Sequence, residues 1–98
     1  MERTRSVKMY KIKFLKEAAN ELKKIDPIWQ YRIKEKISQL ANNPTQLKNR
    51  IKPLKGKYRK YLRLRIGNYR IIFQRKDKEL IILIIRIAHR REVYQTKN

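Results

Sequence analysis

Hydrophobic and polar residues alternate one by one where the readable pattern begins. Tyr10, Ile12 and Phe14 are separated by lysines, the period-two signature of a half-buried strand. From Leu15 the period lengthens: Leu15, Ala18, Ala19, Leu22 and Ile25 recur at helical spacing with Lys and Glu between them. Asp26-Pro27 breaks this helix and opens another, with Asp as a cap and Pro at the first helical position. Ile33, Ile37, Leu40 and Ala41 then form an apolar stripe, ended by Asn42-Asn43-Pro44. Residues 44–57, rich in Lys and Arg, predict a loop.

Beyond that loop the period returns to two. Leu62, Leu64 and Ile66 alternate with Tyr61, Arg63 and Arg65, giving one apolar and one basic face. Gly67-Asn68 predicts a turn, though not in the commoner order for a two-residue hairpin. Residues 69–74 predict a strand, Lys76-Asp77-Lys78 a second turn, and residues 80–87 a nearly continuous apolar strand of the kind covered on both faces. The expected architecture is α+β in the order β-α-α-β-β-β. A helical hairpin packs on one face of a small, mainly antiparallel sheet, and the other face is left to arginines. Trp29, Tyr31 and Tyr10 are expected to pack helices on the sheet, whereas Tyr58 and Tyr61 suit either a core or a base-stacking role.

Length allows one domain, placed at residues 9–98. The first eight residues are expected to be a disordered extension, with Met9 as an alternative to Met1 as the native start. Charge changes the picture more than size does. Twenty-eight Lys and Arg against eight Asp and Glu give a net charge of +20. Such self-repulsion opposes a compact state, so a polyanionic partner, either nucleic acid or an acidic protein, is expected. No signal-peptide pattern is visible, and the longest apolar run, residues 80–85, is far short of the ~20 residues that cross a membrane. A cytoplasmic protein with no membrane partner is the expectation.

Elimination narrows the chemistry. The chain has no cysteine and a single histidine, His89; its serines are Ser6 and Ser38 and its glycines Gly56 and Gly67. Thiolate chemistry, a zinc-thiolate site and a Gly-rich phosphate loop are therefore excluded, and a Ser-His-acid triad is disfavoured. The scattered acids do not suggest a two-metal carboxylate site, so no metal or cofactor is expected. Arginine, lysine, tyrosine and one histidine remain. They suit metal-independent cleavage of RNA, in which the 2′-hydroxyl attacks the adjacent phosphate and expels the 5′-oxygen of the next nucleotide. Guanidinium groups grip phosphate oxygens, and His, Tyr or Lys transfers protons.

Several segments together resemble a known family: Leu54-Lys55-Gly56, Tyr61-Leu62-Arg63-Leu64-Arg65, Gly67-Asn68-Tyr69-Arg70-Ile71-Ile72-Phe73, and Ala88-His89-Arg90-Arg91-Glu92-Val93-Tyr94. Over residues 9–94 the chain resembles the RelE branch of the RelE/ParE toxins of type II toxin–antitoxin systems. The resemblance implies a messenger-RNA endonuclease acting in the 30S A site of the ribosome, held by a cognate antitoxin that the charge suggests is acidic. It implies catalytic roles for Arg63, Arg70, His89, Arg90 and Tyr94, with Arg91 the register alternative to Arg90. RNA-binding roles are implied for Lys55, Arg65, Arg91 and Tyr61. Where the family pattern carries a lysine, this chain has Tyr61, so His89 or Tyr94 is expected to take over part of its proton transfer. Two alternatives stay open: a ParE-like inhibitor of DNA gyrase, and a non-catalytic RNA- or ribosome-binding module.

Overall fold

The structure, a computed structural model, describes residues 9–89. The predicted extension (residues 1–8) and Arg90, Arg91 and Tyr94 lie outside the described residues.

Strand β1 (Lys11–Phe14) leads into helices α1 (Lys16–Lys23) and α2 (Pro27–Asn42), followed by strands β2 (Ile51–Pro53), β3 (Leu62–Ile66), β4 (Tyr69–Lys76) and β5 (Ile81–His89). The sheet order is β1-β5-β4-β3-β2, with β1 parallel to β5 and every other pairing antiparallel. Because β1 and β2 are opposite edges, the chain between them crosses one face of the sheet, and the helical hairpin covers that face. The α+β expectation holds.

The helices form where their apolar spacing predicts. α1 buries Ala18 and Leu22; α2 buries Ile33, Ile37, Leu40 and Ala41. They meet the inward residues of the strands, Leu64, Ile66, Ile71, Phe73, Ile82, Ile84 and Ile87, in one core. Asp26 sits at the start of α2 with Pro27 next, but its side chain makes no capping bond. Gln30 ties the hairpin instead, donating from Nε2 to the Ile25 carbonyl at 2.7 Å.

Four expectations need correction. Residues 44–57 are not plain loop: a 3-10 turn over Pro44–Arg50 delivers β2, which pairs with β3 only. Pro53 is tolerated there because an edge strand can spare an N–H. Strand β5 is interior but not covered on both faces: Ile82, Ile84 and Ile87 are buried, while Ile81, Leu83 and Ile85 are half-exposed. Tyr31 is 63% exposed and packs no helix onto the sheet, unlike Tyr10 and Trp29. Finally, the Gly67-Asn68 order is the appropriate one. Gly67 has φ +57° and Asn68 does not enter the left-handed region, as a type II′ turn requires of its first and second central residues.

A bulge in β5 decides which residues face which way. Phe73 pairs with Ile84 and Ile72 with Arg86, leaving Ile85 as the extra residue. Inserting one residue inverts the alternation beyond it. Ile87 and His89 thus turn toward the helices, and Arg86 and Ala88 toward the uncovered face. Past the end of β1, the edge N–H of Ile87 donates to Glu21 Oε1 at 2.7 Å, and Arg86 Nη2 lies 2.7 Å from Glu21 Oε2. One carboxylate of α1 therefore closes an edge donor that the short strand leaves open.

Candidate functional site

Cross-strand register assembles the uncovered face in rows. Lys52, Arg63, Ile72 and Arg86 lie side by side from β2 to β5, and Arg65, Arg70 and Ala88 form the next row. Gln74, Leu83 and Lys13 follow, then Lys76, Ile81 and Lys11. No carboxylate occupies any of these positions; from Lys36 to Lys76 the chain has no acidic residue at all. Like charges opposite one another on a sheet are destabilising, so the direct pairing of Arg65 with Arg70 is a feature folding alone would not favour.

Arg70 is the extreme case. It is 5% exposed, and its Nε and Nη1 have no hydrogen-bond partner among the described residues. Burying a guanidinium without an acceptor is unfavourable by several kcal/mol, and an anion in the site removes that penalty through bidentate contacts. Arg63, half-buried two residues upstream of Arg65, and exposed Arg65 flank it on β3. Tyr61 is half-buried just before β3, and Lys55 is exposed at the start of the 3-10 turn Gly56–Tyr58. The Leu54 N–H donates to the Tyr61 carbonyl at 3.1 Å, folding that loop back on the start of β3.

His89 is placed elsewhere. Its Cα pairs with Tyr69, whose ring it meets edge-on at 5.2 Å between centroids, and Tyr69 in turn packs on Trp29 at 5.6 Å. The three rings form a column on the helix side, with Arg32 over Trp29 at 5.1 Å. The structure thus brings Arg63, Arg65 and Arg70 together and sets His89 on the opposite face. The bulge at Ile85 is the reason, since uninterrupted alternation would have turned His89 toward the arginines.

Sequence reasoning missed Lys52, Lys11, Lys13, Lys76 and Arg86 on this face. The alternation of lysines in β1 carried the signal for Lys11 and Lys13; Lys52 needed the unforeseen strand β2, and Arg86 the bulge. Among the described residues no group of three or more His, Cys, Asp or Glu could hold a metal ion, and no helix is long and apolar enough to cross a membrane.

Among the described residues, helices cover one face of this α+β domain, and the strand positions of the other face carry arginines and lysines without a carboxylate, a charge pattern suited to a polyanion. A family model described as the ParE toxin of the type II toxin-antitoxin system, parDE, matches residues 12–94. The chain belongs to this toxin family, and within the RelE/ParE superfamily it is a RelE-like toxin. It is similar to toxin RelE3 of Methanocaldococcus jannaschii, with 36% identity over 86 residues, 86% of this chain and 94% of that protein. The toxin–antitoxin complex RelBE2 from Mycobacterium tuberculosis superposes with a TM-score of 0.75 at 25% identity, covering 85% of this chain and 93% of that one. The RelB–RelE antitoxin–toxin complex from Methanococcus jannaschii gives 0.66 at 31% identity, covering 84% and 94%.

Proposed function

We propose that this toxin is a metal-independent endoribonuclease that cleaves messenger RNA, acting in the cytoplasm at the 30S A site of the ribosome. The observation that carries this reading is the buried Arg70 guanidinium, with two nitrogens lacking an acceptor among the described residues, in a row of basic strand positions. A phosphodiester supplies the missing acceptors. Arg70 holds the non-bridging oxygens of the scissile phosphate and stabilises the charge that builds as the 2′-oxygen attacks. Arg63 and Arg65 position the chain on either side, and Lys55 and Tyr61 extend the track. Arg90, or Arg91 in the alternative register, adds a second phosphate contact.

The 2′-hydroxyl must lose a proton and the departing 5′-oxygen must gain one. Tyr94 and His89 are the groups assigned to these transfers. His89 reaches the phosphate only if the substrate passes around the end of β5, so Tyr94 carries the larger share. The relatives RelBE2 and RelB–RelE were solved as complexes with antitoxins. By the same logic a cognate antitoxin, acidic to match a toxin of net charge +20, neutralises this chain.

The test compares wild type with Arg70→Ala during induced expression in bacteria, mapping the 5′ ends of cellular messages. Growth arrest with new message ends, both lost in the variant, is the expected result. Purified protein should cut a message held on programmed ribosomes and spare one with 2′-deoxyribose at the scissile position. Because the matching family model is named for ParE toxins, gyrase inhibition is the second reading. Arrest with intact messages and stalled replication would select it.

A further inference from the structure

The loop entering β3 presents two stacked tyrosines that the core does not use. The rings of Tyr58 and Tyr61 are 6.4 Å apart and 29° from parallel. Tyr58 is 51% exposed, and neither ring belongs to the core cluster or packs against it. Lys57 Nζ lies 5.4 Å from the Tyr58 centroid and Lys60 Nζ 5.8 Å from that of Tyr61. The loop holds this arrangement before any ligand arrives: the Tyr58 N–H donates to the Lys55 carbonyl at 3.3 Å, and the Tyr61 N–H to the Tyr58 carbonyl at 2.9 Å. Gly56, at φ +66°, makes the bend that permits it. Tyr61 precedes Arg63 by two residues, about 7 Å along a strand.

An exposed aromatic face, backed by a second ring and flanked by lysines, is the chemistry that binds a base of single-stranded nucleic acid. Every base offers a π-face, and the neighbouring ammonium groups attract its phosphates. We propose that Tyr58, supported by Tyr61 and flanked by Lys57 and Lys60, is a stacking platform for one base of the RNA strand whose phosphate Arg70 holds. The platform lies at the β2–β3 end of the basic face, so it engages a nucleotide beyond the one being cut. It contributes binding, not proton transfer. This inference rests on the ribonuclease reading.

The experiment uses the full chain and a single-stranded 2′-O-methyl oligoribonucleotide, which lacks the attacking hydroxyl and stays intact. Affinity is measured as a function of salt, with abasic residues scanned along the strand. Tyr58→Ala should bind about ten-fold more weakly with an unchanged salt slope, and Tyr58→Phe should bind like wild type. Lys57→Ala should lower the salt slope by about one. At one position an abasic residue should weaken wild type as much as Tyr58→Ala does, yet weaken the variant no further. Thermal unfolding of each variant separates loss of binding from loss of fold, and Tyr58→Trp should bind at least as well as wild type. Equal binding by folded Tyr58→Ala, or abasic effects that add everywhere, would overturn the platform while the wild type still binds and cuts RNA. Wild type that neither binds this strand nor cuts the unmodified message on programmed ribosomes would overturn the ribonuclease reading itself.

Discussion

The two faces of the sheet are made from alternate residues of the same strands, and they obey opposite rules. On the helix side Leu64, Ile71, Phe73, Ile82 and Ile84 are fully buried. On the other side Arg65 and Arg70 sit opposite each other, no carboxylate intervenes, and a buried guanidinium keeps two nitrogens without acceptors among the described residues. β4 contains both cases. Arg75, on the helix side of the strand, has its Nε 2.7 Å from Asp77 and stands over the Tyr10 ring at 5.6 Å. Arg70, five residues earlier, has no such partner among the described residues. One face is built for folding, and the other holds, among the described residues, a buried guanidinium whose cost an anion would relieve.

The largest effects should separate the faces by what they damage. Phe73→Ala removes a fully buried ring and should lower unfolding stability by about 4 kcal/mol, dragging activity down with the fold. Arg70→Met should leave urea-denaturation stability unchanged or raise it by about 1 kcal/mol, since replacing an uncompensated buried ion by an apolar chain of similar volume is neutral or favourable. Yet it should reduce RNA cleavage about 10³-fold. A loss of stability from Arg70→Met as large as that from Phe73→Ala would make Arg70 a structural residue and erase the distinction.

A smaller effect probes the boundary at the β3–β4 turn. A Cβ on Gly67 would lie 2.5 Å from Trp29 Cη2 and 2.7 Å from its Cζ3, and the φ of +57° already disfavours any side chain. Gly67→Ala should destabilise the fold by about 3 kcal/mol. It should also shift the emission of Trp29, the only tryptophan in the chain. Because the clash falls on Trp29, with Tyr69 between it and His89, cleavage by the molecules that remain folded should change little. A drop as steep as that of Arg70→Met, in fully folded protein, would show that Trp29 and Tyr69 position His89 for proton transfer.

Periodicity made most of this legible. The stripes at Ile33, Ile37, Leu40 and Ala41, and at Leu62, Leu64 and Ile66, depend only on local spacing, and they became the core. The clustering of Arg63 and Arg65 with Arg70 was legible for the same reason, since a hairpin turn at Gly67-Asn68 sets the register that pairs Arg65 with Arg70. What failed depended on non-local events. A three-residue edge strand such as β2 has too few positions to show a period and exists because β3 offers it an edge. The bulge at Ile85 leaves no mark in an apolar run, where every residue suits either face, and so the side occupied by His89 was unreadable. Asp26 had the composition of a cap without the bond, because Gln30 took over the polar closure of the hairpin.

The smallest effect sharpens the contrast between the two arginines of β4. Tyr10 is 6% exposed and donates from its hydroxyl to Asp77 Oδ1 at 2.7 Å. Burial, and then that hydrogen bond, raise its pKa above the ordinary value of about 10, against the opposing pull of Arg75. Arg75 is itself held more firmly charged, chiefly by its bond to Asp77. The folded state thus binds the phenolic proton more tightly than the unfolded chain does. Its stabilisation is fully present below pH ~10 and is lost as pH rises through the folded pKa. Tyr10→Phe should therefore cost about 1 kcal/mol at neutral pH, and the gap to wild type should close above pH ~10 in urea denaturation. A gap that stays constant to high pH would show that the stabilisation does not depend on the phenolic proton and its bond to Asp77. In that case the helix side would keep its charges in order through Arg75 and Asp77 alone, still in contrast to Arg70.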